Sequence, residues 1–422
     1  MASRAIDNGR QLLWSAIDER LDELIATVAD LVRRPSLLAH EAEAQAFVAK
    51  HLSDSGLQTE SWDLDDSIKT RPNAGESGVP FAGRPNVTAT RKGSGNGRSL
   101  ILNGHIDVVS PEPISAWTHD PWAAEIEGDR MFGRGAYDMK CGVALNIFIP
   151  RLLRDLDITL AGDFSVHSVI EEECTGNGAL AASLRHKADA AIVTESGCDE
   201  YTRAHLGVIW FRVAVTGRST HVSHAWQGVN AIVKMVPVIR ALEQLNDDLN
   251  KEVHPMWEGI KHPINLNVGV IIGGDWPSTV PGACELHCRT SFFPGTPVET
   301  MSARIEKAVA SACFEDDWLR ENPPVVTYDG FRTDVVIVDE NELVVQKLTA
   351  AYRRTTGNDL KPSVATAVND MRYYVFNGVP AVTFGACGAN AHAADEWLDI
   401  TSMAPTAKAL GAFILDWCGV AD

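Results

Sequence analysis

Apolar residues recur along the chain in two rhythms. Near the start Leu21, Leu24, Ile25, Val28 and Leu31 share one helical stripe, and residues 1–60 read as helical. Residues 83–109 read as two strands around a turn. NVTATRK alternates, KGSGNGR turns, and SLILNGHIDVV is an apolar run of the kind buried on both faces. The glycine-rich segment lacks the GK[ST] ending and the following helix of a phosphate loop, so a hairpin turn is expected there. A helix starts after Lys140 and runs through Val143–Leu153. DITLAGDFSVHSVIEEE and ADAAIVTES are two further buried strands, the first ending in three glutamates. Strands alternating with helices predict an α/β fold with a mostly parallel, doubly wound sheet.

The rhythm changes near residue 206. LGVIWFRVAVTG alternates as a half-exposed strand, and NAIVKMVPVIRALEQLNDDL is a helix. INLNVGVIIGG and ACELHCRTSFF are strands, ETMSARIEKAVASACF is a helix, and PPVVTYDGF is a last strand. This order predicts an α+β unit over residues 207–329, inserted into a domain made of 1–206 and 330–422. Helix resumes in ENELVVQKLTAAYRRTTG, and GVPAVTFG is another apolar strand.

Bulk properties narrow the classes. A chain of 422 residues exceeds the roughly 250–300 at which single cores stop growing. Net charge is −19 with no cluster of Lys and Arg, which argues against nucleic acid as a partner. No apolar run approaches the roughly 20 residues of a membrane span. The start lacks the pattern of a signal peptide, so a cytoplasmic location is expected. The eight cysteines contain no CxxC pair and are expected to be thiols in a reducing compartment.

Sites in open α/β sheets lie beyond the carboxyl ends of strands, and polar groups gather at four such ends. In NGHIDVV, His105 and Asp107 point to the same face. GRGAYDMKCG holds Asp138 before a helix. EEECTGNGA crowds three carboxylates, which is costly unless cations or protons neutralise them. VTES ends in Glu195. Downstream, NAHAADEW carries His392. Imidazole and carboxylate ligands suit zinc, manganese or cobalt. Five such ligands, one of them bridging, would hold two ions able to activate a shared water. A spare carboxylate beside them can act as general base.

These motifs together resemble the dinuclear zinc amidohydrolases and exopeptidases, the family that includes acetylornithine deacetylase, succinyl-diaminopimelate desuccinylase, aminoacylase and glutamate carboxypeptidase. Six motifs in order carry the resemblance over nearly the whole chain: GHIDVV, GRGAYDMKCG, EEECTGNGA, VTES, GRSTHVSHAWQGVNAI and GANAHAADEW. The resemblance implies that His105 and Glu195 bind one metal and Glu173 and His392 the other. Asp138 would bridge both, with a cis peptide after it, and Asp107 would orient His105. Aligned on the family's DEExGGxGA, the acidic motif gives Glu171, Glu172 and Glu173, with Glu172 as general base. Glu171 and Thr175 depart from that pattern, and three glutamates in a row also allow a register shifted by one residue.

The inserted unit resembles the family's lid, or dimerisation, domain. GRSTH puts His221 where the family stabilises the oxyanion in the partner subunit's site, with His224 as the neighbouring alternative. Arg289 falls where the family holds the substrate's carboxylate. Two divalent ions per subunit, a small carboxylate-bearing substrate and a homodimer or larger homo-oligomer are implied. The departures touch substrate contacts. Ser278 stands where many relatives have Asn, GACG precedes the metal histidine's loop, and ATAVNDMRYY carries Asp370 and Arg372 in an altered motif. The implied activity is amide deacylation. An aminohydrolase acting on an aromatic amine, resembling 5-nitroanthranilate aminohydrolase, is the alternative that Trp226 and Trp276 would suit. A formyl-aminopyrimidine deformylase and a silent binding protein on this fold complete the set.

Overall fold

The computed structural model describes residues 2–314 and 316–421. The N-terminal helical stretch is divided into Ala2–Glu19 and Leu21–Val32, separated at Arg20, followed by Ala42–Asp54. Leu24, Val28 and Leu31 are fully buried, and Leu21 and Ile25 pack half-buried against the same core. The helical segment ends before residue 60, because the strand Gln58–Asp63 joins the edge of the main sheet.

Among the described residues that sheet has nine strands. At its centre Leu100–His105 lies parallel to both Phe164–Val169 and Ala190–Val193, and Ala381–Thr383 continues the parallel set beside Ala190–Val193. The margins are antiparallel: Pro85–Arg91 and Gln58–Asp63 on one side, Val336–Ile337 on the other. Strands at the centre are almost wholly buried because helices cover both faces, although Asn103, His105 and His167 lie among their apolar residues. Cys141–Asp155, nearly all buried, is one of those helices.

The hairpin expected around KGSGNGR does not form. Phe164–Val169 lies between Pro85–Arg91 and Leu100–His105, antiparallel to the first and parallel to the second. The glycines serve close approach instead. A Cβ on Gly97 would stand 1.8 Å from the Cys418 carbonyl oxygen, and one on Gly93 would stand 2.4 Å from that of Ala161. Turn composition reports a reversal of the chain but not which strand occupies the gap.

Residues from Gly207 to Thr333 build a second sheet in the order Asn267–Gly273, Ala283–Phe292, Gly207–Thr216, Val325–Thr333, all antiparallel. Helices Ala231–Leu249 and Val298–Ser311 cover one face, and a separate hydrophobic core forms there around Phe211, Val213, Met235, Leu242, Leu286 and Ile305. The strands Glu200–His205 and Lys361–Ala365 and the buried helix Met403–Cys418 complete the first unit. A small four-stranded sheet orders Gly388–Ala389, Trp397–Asp399, Arg130–Phe132 and Glu125–Glu127. No described helix is long and apolar enough to cross a membrane.

Candidate metal centre

Three adjacent parallel strands deliver polar groups to one rim. His105 is the last residue of its strand, Glu171–Glu173 follow Val169, and Glu195 follows Val193 by two residues. The small sheet supplies the rest. Strand Arg130–Phe132 leads into the loop that carries Asp138, and the hairpin between Ala389 and Trp397 carries His392. His392 sits at φ 62, a left-handed conformation that costs a non-glycine residue about 1–2 kcal/mol. The Asp138–Met139 peptide is cis.

Among the described residues this rim brings together two groups of three possible metal ligands, His105–Asp138–Glu195 and Asp138–Glu173–His392. Asp138 belongs to both. Its Oδ1 lies 3.3 Å from His105 Nε2, and its Oδ2 lies 3.4 Å from His392 Nε2. His105 Nε2 is 3.6 Å from Glu195 Oε1, and His392 Nε2 is 2.9 Å from Glu173 Oε2. Burial, reinforced by the charge of Asp138, pushes the Glu173 and Glu195 carboxyls up. Burial would likewise raise Asp138, but the two imidazoles hold it below its usual range. Hydrogen bonds to Asp138 and Glu173 lift His392 to about 11, and Glu195 and Asp138 hold His105 well above its ordinary value despite burial. The cluster therefore demands positive charge, which protons supply when no metal does. Glu195 Oε2 is buried with no hydrogen-bond partner among the described residues.

The three consecutive glutamates take separate tasks. Glu171, at φ 64, turns its carboxylate away from the cluster, where it accepts from Arg84 Nη1 at 2.7 Å, Ser77 Oγ at 2.9 Å and Thr175 Oγ1 at 2.7 Å. Arg84 also pairs with the buried Glu41. Glu173 faces His392. Glu172 lies between them, buried, with Oε1 taking no hydrogen bond among the described residues and 3.7 Å from Arg372 Nη1. Burial pushes its carboxyl well up. Arg372 is fully buried and donates to the Asn369 and Thr175 carbonyls, while Asp370 accepts from Asn103 Nδ2. Asp107 meets His105 through its carbonyl oxygen, 2.9 Å from Nδ1. Its carboxylate accepts from the Glu172 and Glu173 amides at 3.1 and 3.0 Å. Asp107 thus tethers the acidic loop as well as contacting the histidine.

Sequence reading missed Glu396. Buried in the same motif as His392, it accepts from the amides of Gly135, Tyr137 and Asp138 at 3.0 Å each and from Arg134 Nη1 at 2.6 Å. It joins the Asp138 loop to the His392 hairpin. A glutamate inside an otherwise polar motif gives no local sign of that burial.

A cleft of about 340 Å³ opens between the two units. Ser77 and Cys174 line it beside the acidic motif; Trp210, His287 and Arg289 line it from the second sheet. Arg289 is directly opposite Trp210 on the neighbouring strand and donates to the Asn265 carbonyl. His221 is not among the cleft residues. It is exposed, paired to Ser223 Oγ at 2.8 Å, and the same hydroxyl lies 2.9 Å from His224 Nδ1. Trp226 and Trp276 are 76% and 68% exposed.

The expectation of unpaired thiols fails at one place. Cys198 and Cys387 form a disulfide across 189 residues, whereas the other six cysteines are free. The strands preceding them, Ala190–Val193 and Ala381–Thr383, are parallel neighbours, so their following loops meet. Spacing along the chain cannot reveal a pair made by sheet order.

Comparison with known proteins fits this arrangement. The model of peptidase family M20/M25/M40 matches residues 101–416, and the chain belongs to that family. It is a hydrolase acting on C–N bonds, in a metal-dependent family. The N-formyl-4-amino-5-aminomethyl-2-methylpyrimidine deformylase of Bacillus subtilis (strain 168) is 29% identical over 435 residues, covering 96% of this chain and 97% of that protein. Acetylornithine deacetylase of Salmonella typhi is 29% identical over 406 residues, covering 94% and 96%. The fold matches that of the di-peptidase Dug1p from Saccharomyces cerevisiae with a TM-score of 0.82 at 12% identity, covering 97% and 98%.

Proposed function

We propose that the chain is a two-metal deacylase of small N-acylated amines, with the ions held by His105, Asp138, Glu173, Glu195 and His392. The observation that carries this reading is the pair of candidate ligand groups sharing Asp138, with the buried Glu172 beside them, whose Oε1 takes no hydrogen bond among the described residues. Two divalent ions, zinc, manganese or cobalt, would when bound polarise the scissile carbonyl and acidify the attacking water. Glu172 takes the attacking water's proton on its carboxylate and delivers it to the leaving nitrogen. Burial raises that carboxylate's proton affinity, which favours its holding the proton between the two transfers. Asp107 and Glu396 hold the ligand loops, so the donors do not reorganise during turnover. Arg289 supplies a guanidinium to a substrate carboxylate across the cleft.

The relatives named for deformylation and deacetylation both support removal of a small acyl group from nitrogen, and the cleft volume suits a small substrate. Trp210 beside Arg289 leaves the deformylase-like reading open to a ring-bearing amine. A substrate panel tests these readings: N-acetyl and N-formyl amino acids, an N-formyl aminomethylpyrimidine and anthranilates, each assayed with the metal removed by chelation and then restored. Product from an N-acyl compound only in the metal-loaded state is expected, and Arg289→Ala should raise KM for carboxylated substrates with kcat little changed. Ammonia from an anthranilate, with no acyl compound cleaved, would replace deacylation by the aminohydrolase reading. Absence of any loadable metal would leave a binding protein.

We read the exposed His221 as serving a partner's site in a homodimer. The second sheet leaves Asn267–Gly273 as a free edge with Ile271 and Ile272 exposed, and Trp226 and Trp276 flank His221 in sequence and beside its strand partner. A second copy covers such a surface. His221→Ala should lower kcat by about 10²-fold, the usual loss for one oxyanion donor. Mixing inactive His221→Ala and Glu172→Gln proteins under subunit exchange should restore about a quarter of normal activity, because hybrid dimers hold one intact site. A monomer in sedimentation, or no recovery despite proven exchange, would dismiss the shared site.

A further inference from the structure

We propose that the Cys198–Cys387 bond is a redox-sensitive clamp on the metal centre. This rests on the two-metal reading above and adds a control on it that the reading does not require. Cys198 comes three residues after Glu195, and Cys387 comes five residues before His392. Each sulfur therefore belongs to a loop bearing a ligand of a different group, Glu195 in one and His392 in the other. The bond joins the two groups from outside, as Asp138 joins them from within.

The surroundings suit that task. The Gly197 amide donates to the Ala386 carbonyl at 3.1 Å, so the loops touch one residue away from each sulfur. Gly385 approaches the Glu195 carbonyl so closely that a Cβ there would stand 2.0 Å from its oxygen. On the other side, Cys387 takes the Asp399 amide on its carbonyl and donates its own amide to Ser402 Oγ, which ties it into the hairpin that carries His392. Displacement of Cys387 is thus passed to His392, and displacement of Cys198 to Glu195. The bond is also reachable. Cys198 is exposed, and a cavity of about 400 Å³ lined by Cys387, Asp199, Tyr352 and Phe384 opens beside it. Of the six free cysteines, Cys141, Cys284, Cys288 and Cys418 are buried, and burial pushes the Cys288 and Cys418 thiols up to about 12. These cannot compete for a partner sulfur.

Opening the bond takes two electrons. A dithiol reductant attacks one sulfur, the S–S bond breaks, and the second thiol of the reductant displaces the mixed disulfide. Cys198 and Cys387 leave as two thiols and the reductant as its own disulfide. With a trialkylphosphine the electrons come from phosphorus, and water supplies two protons and the oxygen of the phosphine oxide. The reduced chain keeps its fold through the remaining loop contacts but holds Glu195 and His392 less rigidly, and loss of such outer support costs about 10–100-fold in metal affinity.

The test uses the full chain loaded with manganese or zinc, with and without a trialkylphosphine, which does not sequester these ions as dithiols do. Metal release is followed by a chromogenic chelator, and alkylation with mass spectrometry counts free thiols. Reduction should expose two more thiols at Cys198 and Cys387 and speed metal release by about tenfold or more. Reoxidation should restore slow release. The Cys198→Ser/Cys387→Ser chain should release metal quickly in both conditions, while Cys313→Ser should behave as the unaltered chain. Equal release rates before and after a verified reduction would overturn the clamp while leaving the metal centre standing. A chain that takes up no metal in either state defeats the two-metal reading and the clamp with it.

Discussion

Glutamine at position 172 is expected to lower kcat by about 10²–10⁴-fold, the usual contribution of a general base, with both metal ions retained. The substitution preserves shape and removes only the capacity to accept a proton. Glu172 forms no ion pair with either imidazole of the cluster, and the Arg372 guanidinium stands 3.7 Å from its Oε1. Metal content by mass spectrometry should therefore equal that of the unaltered chain. The neighbouring glutamates make the experiment discriminating. Glu171→Gln breaks a buried pair with Arg84, which is itself bonded to Glu41, and removing one partner of such a pair costs about 3–5 kcal/mol. That variant should melt early with the turnover of its folded fraction unchanged. Glu173→Gln removes the partner 2.9 Å from His392 and should weaken metal binding. Normal turnover in Glu172→Gln would dismiss Glu172 as the base.

That three adjacent glutamates separate into one paired with Arg84, one near Arg372 and one facing His392 illustrates what a sequence carries and what it does not. The apolar runs ahead of His105, the glutamates and Glu195 mark strands by composition alone, so their polar ends were legible as one rim. The register among the glutamates was legible only through the family motif, which still allowed a shift of one residue. It depends on Arg84 and Ser77, which approach Glu171 from elsewhere in the chain, and on the left-handed backbone at Glu171 itself. His392 was legible only through its motif, because the strands flanking it are two and three residues long and carry little periodicity. Glu396 escaped notice for the same reason, although its three amide contacts fix the Asp138 loop. Sheet order was hidden as well. It places Phe164–Val169 where a hairpin was expected and brings together the loops that carry Cys198 and Cys387. Pairings between segments far apart in the chain leave no local pattern to read.

Asp138 is where both ligand groups depend on one side chain, and Asp138→Asn should be correspondingly severe. Each carboxylate oxygen faces a different imidazole, so an amide can offer an acceptor to one group only and turns a donor toward the other. The change also removes the negative charge that both groups share. At least one ion per chain should be lost at micromolar metal, and turnover should fall by about a thousandfold, which corresponds to roughly 4 kcal/mol of lost stabilisation. Glu195→Gln supplies the contrast, since Glu195 serves the His105 group alone. It should weaken one ion and leave the Glu173–His392 group loaded. Fold stability separates these effects from simple unfolding. In the metal-free chain the charge of Asp138 raises the Glu173 and Glu195 carboxyls, so its removal relieves repulsion even as it deprives His105 and His392 of a partner. The metal-free variant should therefore melt close to the metal-free unaltered chain, whereas added metal should stabilise the unaltered chain far more. Two tightly bound ions in Asp138→Asn would show that the groups do not share this carboxylate.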